Sequence, residues 1–110
     1  MSHPHIELLW WQGCPSWEEA LEDLEAATAA VGLDPGRIVV REIDDEVQAE
    51  LEGFVGSPTI RADGRDILPP GEGEVAGLTC RVYRLRDGRV SPKPDPDDLR
   101  DALARVAAHT

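Results

Sequence analysis

The stretch Trp10-Trp11-Gln12-Gly13-Cys14-Pro15-Ser16-Trp17 decides how this 110-residue chain is read. Ahead of it, Ile6-Glu7-Leu8-Leu9-Trp10-Trp11 is a short apolar run expected to form a central strand. Gly13 and Pro15 stop that strand. Behind it, Leu21, Leu24, Ala27 and Val31 recur at steps of three and four, the spacing of a helix from Ser16 to Val31. Ser16 and Glu19 form an S-x-x-E capping box and Gly32 closes the far end. Pro15 could equally take the first helical position, with Cys14 as the cap. Either way a cysteine stands where a strand turns into a helix.

Working outward, Asp34-Pro35-Gly36 is a turn and Arg37 to Ile43 a second strand rich in Ile and Val. Asp44-Asp45-Glu46 starts a short acidic helix that runs through Leu51 and ends at Gly53. The order β-α-β-α favours a parallel strand pair joined by a helical crossover. Gly56-Ser57-Pro58-Thr59-Ile60 then opens a third strand. Thr59 to Ala62 and Arg65 to Leu68 flank Asp63-Gly64, a hairpin signal.

Pro69 to Thr79 holds three glycines and two prolines without periodicity, about the length at which a loop is functional or mobile. Cys80 to Leu85 alternates like a strand and turns at Asp87-Gly88 into Arg89-Val90, an extra hairpin near residues 80–90. After the rigid Pro92 to Pro96 linker, Asp95 caps a last helix with Pro96 at its start. Leu99, Leu103 and Val106 form its inner face. The expectation is one α/β domain over residues 1–110, a mixed sheet flanked by helices.

A hydrophobic share of 41% with 30% charged residues is ordinary for a chain that closes its own core. The net charge of −11 argues against a nucleic-acid partner, which needs a basic footprint, and against anionic membranes. No apolar run is long enough to span a bilayer, and Met1-Ser2-His3-Pro4-His5 lacks a basic leader region. A cytoplasmic location with cysteines reduced at rest is therefore expected. Two cysteines in such a compartment suggest redox or metal chemistry; the alternative is a pair of inert buried thiols.

The arrangement resembles the thioredoxin fold: a Cys-Pro turn ahead of the first helix and, downstream, a proline opening the third strand. The resemblance implies that Pro58 is cis and faces Cys14. More narrowly, Gly13-Cys14-Pro15, Gly56-Ser57-Pro58-Thr59, Asp63-Gly64-Arg65-Asp66 and Cys80-Arg81-Val82-Tyr83-Arg84 resemble a group of small bacterial thioredoxin-like proteins. Some of these are described as alkylmercury lyase-like. Organomercurial lyases use two distant cysteines and an acid three residues after the first. Cys14 and Cys80 match the two thiols in order; Trp17 stands in the acid's place, beside Glu18.

Thiolate is the reactive form of cysteine, and a helix N-terminus favours it. Glu18, Glu19 and Glu22 oppose that effect, so a modestly activated Cys14 is expected. Trp17 replaces the second cysteine of a Cys-x-x-Cys site and cannot attack sulfur. Cys14 therefore acts alone, or is resolved by Cys80, 66 positions away. A bridge requires Cα atoms within about 7 Å.

Three functions stay open. The first is thiol–disulfide exchange through Cys14, shaped by Pro58, with a small thiol or a protein disulfide as substrate and no cofactor. The second is soft-metal or organomercurial handling by Cys14 and Cys80. The third is a non-catalytic binding module. Trp11, Trp17, Ser57 and Thr59 are candidate binding residues around the thiol, with plain packing as the alternative for Trp17. Arg81, Tyr83 and Arg84 could hold an anionic thiol, or form a solvated strand face. His3 and His5 make a weak metal pair on a start expected to be disordered. Gly71-Glu72-Gly73-Glu74 is acidic and unsuited to phosphate.

Overall fold

A computed structural model describes residues 3–70 and 74–109. Four strands form one sheet in the order β2-β1-β3-β4: β1 (Ile6–Trp10), β2 (Val39–Glu42), β3 (Thr59–Ala62) and β4 (Arg65–Asp66). β1 pairs parallel to β2 through Leu8↔Val40 and antiparallel to β3 through Leu8↔Ile60. The β3–β4 hairpin turns at Asp63-Gly64, both in positive φ (51° and 83°). A second, two-stranded sheet pairs β5 (Tyr83–Arg84) with β6 (Val90–Ser91).

β1 is apolar on both faces because both are covered. Ile6 and Leu8 meet α1 (Trp17–Ala30) and α3 (Pro96–Ala108) in a core that includes Ala20, Leu24, Leu99 and Leu103. Leu9 points the other way, onto Ile43, Phe54 and Ala49 of the short α2 (Glu46–Glu52). Part of that second face carries ions instead of a helix. Buried Glu7 accepts from Arg41 at 3.0 Å, and Arg41 also reaches Glu52 at 2.7 Å. Arg61 donates to the Glu52 carbonyl at 2.6 Å.

The helix ends match the chain's capping residues with one exception. Asp45 accepts from the Gln48 N–H at 2.8 Å, and Gly53 ends α2 in the left-handed region. Asp95 accepts from the Asp97 N–H at 2.8 Å, with Pro96 in the first helical position. The expected capping box at Ser16 does not form. Ser16 already has helical geometry (φ −73°, ψ −4°), so its hydroxyl cannot take the capping position that an extended residue presents. Cys14 is therefore two residues ahead of the helix cap and is not the cap itself.

Three expected strands are shorter in the structure, the first being Arg37 to Ile43, which is cut to Val39–Glu42 because Pro35–Arg37 closes into a 3-10 turn. Arg65 to Leu68 shrinks to two residues because the Asp66 carboxylate accepts from the Leu68 N–H at 2.9 Å and bends the chain. Cys80 to Leu85 also shrinks to two, because residues 79 and 81 bond to Ser57 and not to the partner strand of Tyr83 and Arg84. The expected loose start is tied down in its described part. The His5 N–H donates to Asp63 at 2.9 Å, and the Asp34 N–H donates to His3 Nε2 at 2.9 Å. Of the expected loop from Pro69 to Thr79, residues 71–73 lie outside the described residues, as do Met1, Ser2 and Thr110.

Candidate functional site

The turn that carries Cys14 is held from two sides. Its own N–H donates to the Trp11 carbonyl at 3.0 Å. Gly13 lies so close to the Trp11 indole that a Cβ there would stand 2.4 Å from a ring carbon. Trp11 thus seats the turn against the α2-side core. Cys14 is completely buried.

Cys80 arrives from the irregular segment and docks on the strand entry at Ser57. The Ser57 N–H donates to the Thr79 carbonyl, and the Arg81 N–H donates to the Ser57 carbonyl, both at 2.9 Å. The two backbones approach so closely that a Cβ on Gly56 would stand 3.0 Å from the Arg81 nitrogen. Gly56 also has a φ of +135°, a second reason for glycine there. Upstream, the Gly77 N–H donates to the Phe54 carbonyl at 2.9 Å.

Downstream the anchor is a buried arginine. Arg81 pairs with Asp66 at 2.7 Å, donates to the Leu68 carbonyl, and lies 4.6 Å from the Tyr83 ring centre. Thr59 Oγ1 accepts from it at 3.4 Å and itself donates to the Gly56 carbonyl at 2.6 Å. Tyr83 donates its hydroxyl to the Pro58 carbonyl at 2.6 Å. Burial pushes the Tyr83 phenol well above its ordinary value of 10.0, so it stays a neutral donor.

Between these supports the two cysteines meet. Cys14 and Cys80 form a disulfide with Cα atoms 5.6 Å apart. Of the two arrangements left open, a lone Cys14 or one partnered by Cys80, the structure has the second: neither cysteine is free. The ends of the bridge differ in access. Cys14 is buried and Cys80 is exposed, its Sγ 3.9 Å from the Gly13 carbonyl oxygen. A cavity of about 370 Å³ opens beside Cys80, with Val55, Leu68, Pro69, Tyr83 and Arg84 in its wall. A larger one, about 540 Å³, lies between the β3–β4 turn and the end of α3 and contains no cysteine.

The remaining candidates separate. The Ser57–Pro58 peptide is cis. Ser57 is buried beside Cys80, and its hydroxyl has no hydrogen-bond partner among the described residues. Thr59 spends its hydroxyl on internal bonds. Trp17 stacks on Trp10, ring centres 4.2 Å apart at 16°, and packs on the α1–α3 core. Arg81 is neither solvated nor open to an anionic thiol, which corrects both earlier alternatives for it. Arg84 is exposed and donates to the Gly88 carbonyl.

Asp66 and the Tyr83–Pro58 contact were missed. Alternation offered a signal: an inward Tyr83 forces Arg81 inward too, and a buried arginine requires a carboxylate. Among the described residues no group of three or more His, Cys, Asp or Glu side chains is placed to hold a metal ion. No helix among them is long and apolar enough to cross a membrane. No family model, curated protein or solved structure matches the chain.

Proposed function

We propose that Cys14 and Cys80 form a reversible dithiol–disulfide centre in a thioredoxin-like domain. One observation carries this reading: the Cys80 segment is anchored without help from the sulfur–sulfur bond. Backbone pairs at Gly77, Thr79 and Arg81, and the Arg81–Asp66 ion pair, flank the cysteine on both sides. Opening the bond leaves those contacts in place, so the thiols stay neighbours and can re-pair. The strand order, the Cys14 turn ahead of α1 and the cis Ser57–Pro58 bond support the thioredoxin-like assignment. A soft metal ion is the second reading, favoured by the same closeness, since two adjacent thiolates chelate such ions. Mercury compounds are the substrate class it implies.

Equilibration in glutathione buffers of graded ratio tests the first reading, with free thiols counted at each point. A single two-electron transition that disappears in Cys14→Ser and in Cys80→Ser is expected. A bond that stays closed even below about −300 mV marks a structural bridge and ends the proposal.

A further inference from the structure

We infer that Cys80, not Cys14, is the sulfur that exchanges with the outside, and that its partner is a small-molecule thiol or disulfide and not a protein strand. The inference rests on the dithiol–disulfide reading above. It follows from access. Thiol exchange needs the incoming thiolate in line with the bond that breaks, behind the sulfur it attacks. Cys14 is completely buried, so that line runs through the protein. Cys80 is exposed beside a cavity of about 370 Å³, so a small thiolate can reach it from solvent.

The steps balance as follows. A small thiolate bonds to Cys80 Sγ. The Cys14–Cys80 bond breaks, and Cys14 leaves with the electron pair and is protonated as its basicity dictates. A second small thiolate attacks the outer sulfur of the mixed disulfide. The small disulfide departs, and Cys80 keeps its electron pair. The protein gains two electrons and two protons; two small thiols are oxidised to one disulfide. In reverse, Cys80 attacks the small disulfide and Cys14 resolves the adduct.

The partner's size follows from the strand entry. An extended peptide can add to a sheet only where backbone N–H and C=O groups are unpaired. Beside Cys80 those groups belong to Ser57, and both are bonded to residues 79 and 81 of this chain. On the Ser57 side, the position a substrate strand would use is already filled by the segment that carries the cysteine. What remains open is the cavity, whose volume lies in the range of small-ligand sites.

The test uses bis(2-hydroxyethyl) disulfide with the reduced single-thiol variants, read by intact mass. Cys14→Ser leaves Cys80 and should form the adduct on the order of tenfold faster, or more, than Cys80→Ser, which leaves the buried thiol. In parallel, oxidised wild-type protein is opened with 2-mercaptoethanol, quenched with acid and mapped; the mixed disulfide should sit on Cys80. This second arm needs no variant to fold. Equal rates, or an adduct on Cys14 in the wild type, overturn the inference while leaving a reversible pair intact. A wild-type bond that the small thiol does not open removes the reversible pair itself. A linear peptide disulfide that reacts faster than the small disulfide overturns the assignment of partner size.

Discussion

Replacing Asp66 by Asn probes the anchor on which the proposed reversible pair depends. Arg81 keeps only 5% side-chain exposure and Asp66 18%, so their 2.7 Å contact is a nearly dry ion pair. Breaking such a pair from one side costs about 3–5 kcal/mol, because the surviving charge stays buried. Asp66→Asn should fall near about 3 kcal/mol at the low end of that range. Arg81 retains the Leu68 carbonyl, Thr59 Oγ1 and the Tyr83 ring, and an asparagine oxygen can still accept from the Leu68 N–H. At roughly 4 °C per kcal/mol for a chain of this size, the melting point drops by about 12 °C. The redox consequence is separate. The dithiol form can relieve the stranded arginine by letting the Cys80 segment swing out, whereas the disulfide form cannot. The disulfide form bears more of the cost and becomes easier to reduce, by about 30 mV for every 1.4 kcal/mol that the dithiol form escapes. Thermal melts of both redox forms and a glutathione titration read the two effects. A loss of stability with an unchanged midpoint potential would show that Arg81 does not hold Cys80 in place, and the reasoning for the pair would fail.

Three further substitutions test the surroundings. The Arg41 hydrogen bond holds the Glu52 carboxyl below its ordinary value of 4.5, so its contribution is present above pH 4.5 and is lost as pH falls through the depressed value. Glu52→Gln should lower the urea midpoint at pH 7, with the deficit shrinking below pH 4.5; a deficit independent of pH contradicts this assignment. Ser57→Ala removes a buried hydroxyl that bonds to nothing among the described residues, so the oxidised protein should be unchanged or gain up to about 1 kcal/mol. A loss above that size in urea unfolding would reveal a partner for the hydroxyl. Gly56→Ala adds a Cβ 3.0 Å from the Arg81 nitrogen at a φ of +135°, and should cost roughly 2 kcal/mol or more while raising the reduction potential. An unaltered potential would separate that close approach from the redox pair.

The framework of this site is legible in the chain, and its decisive contact is not. Alternation and helical spacing predict β1, α1, the parallel β2 and the β3–β4 hairpin, because those elements rest on local patterns; the structure buries β1, β3 and one face of α1 and leaves β2 largely exposed. Asp45 and Asp95 act as caps where a short acidic side chain precedes a helix, but Ser16 does not, since its backbone geometry is set by the Cys14 turn pulled beneath Trp11. The meeting of Cys14 and Cys80 lies beyond any local pattern. It depends on Arg81 reaching across to Asp66 and on Gly56 admitting the backbone of residues 80–81, two long-range events with no periodic signature. Trp17 is legible only as a hydrophobe; its stack on Trp10 needs the crossing angle of strand and helix.

In the proposed reading, the same closure that strengthens the fold also leaves the bond within reach of ordinary thiols. A bridge across 66 positions removes loop entropy from the unfolded chain worth about 4 kcal/mol. By the thermodynamic cycle, that is also how much more readily the folded protein closes the bond than the unfolded chain does. An unfolded loop offers an effective thiol concentration on the order of millimolar. About 4 kcal/mol multiplies it by roughly a thousand, to the order of 1 M in the folded state. A pair of that strength is half open at about 10 mM small thiol against about 0.1 mM of its disulfide, inside the range over which glutathione buffers poise such pairs. Strength as a staple and lability as a switch are therefore compatible here, provided the anchors keep the reduced thiols together. Urea unfolding of the oxidised and reduced protein measures the difference directly. About 4 kcal/mol in favour of the oxidised form is expected, and Asp66→Asn should narrow it. A difference near zero in the wild-type protein would mean that the thiols drift apart once the bond opens, and the anchored-pair account would be refuted.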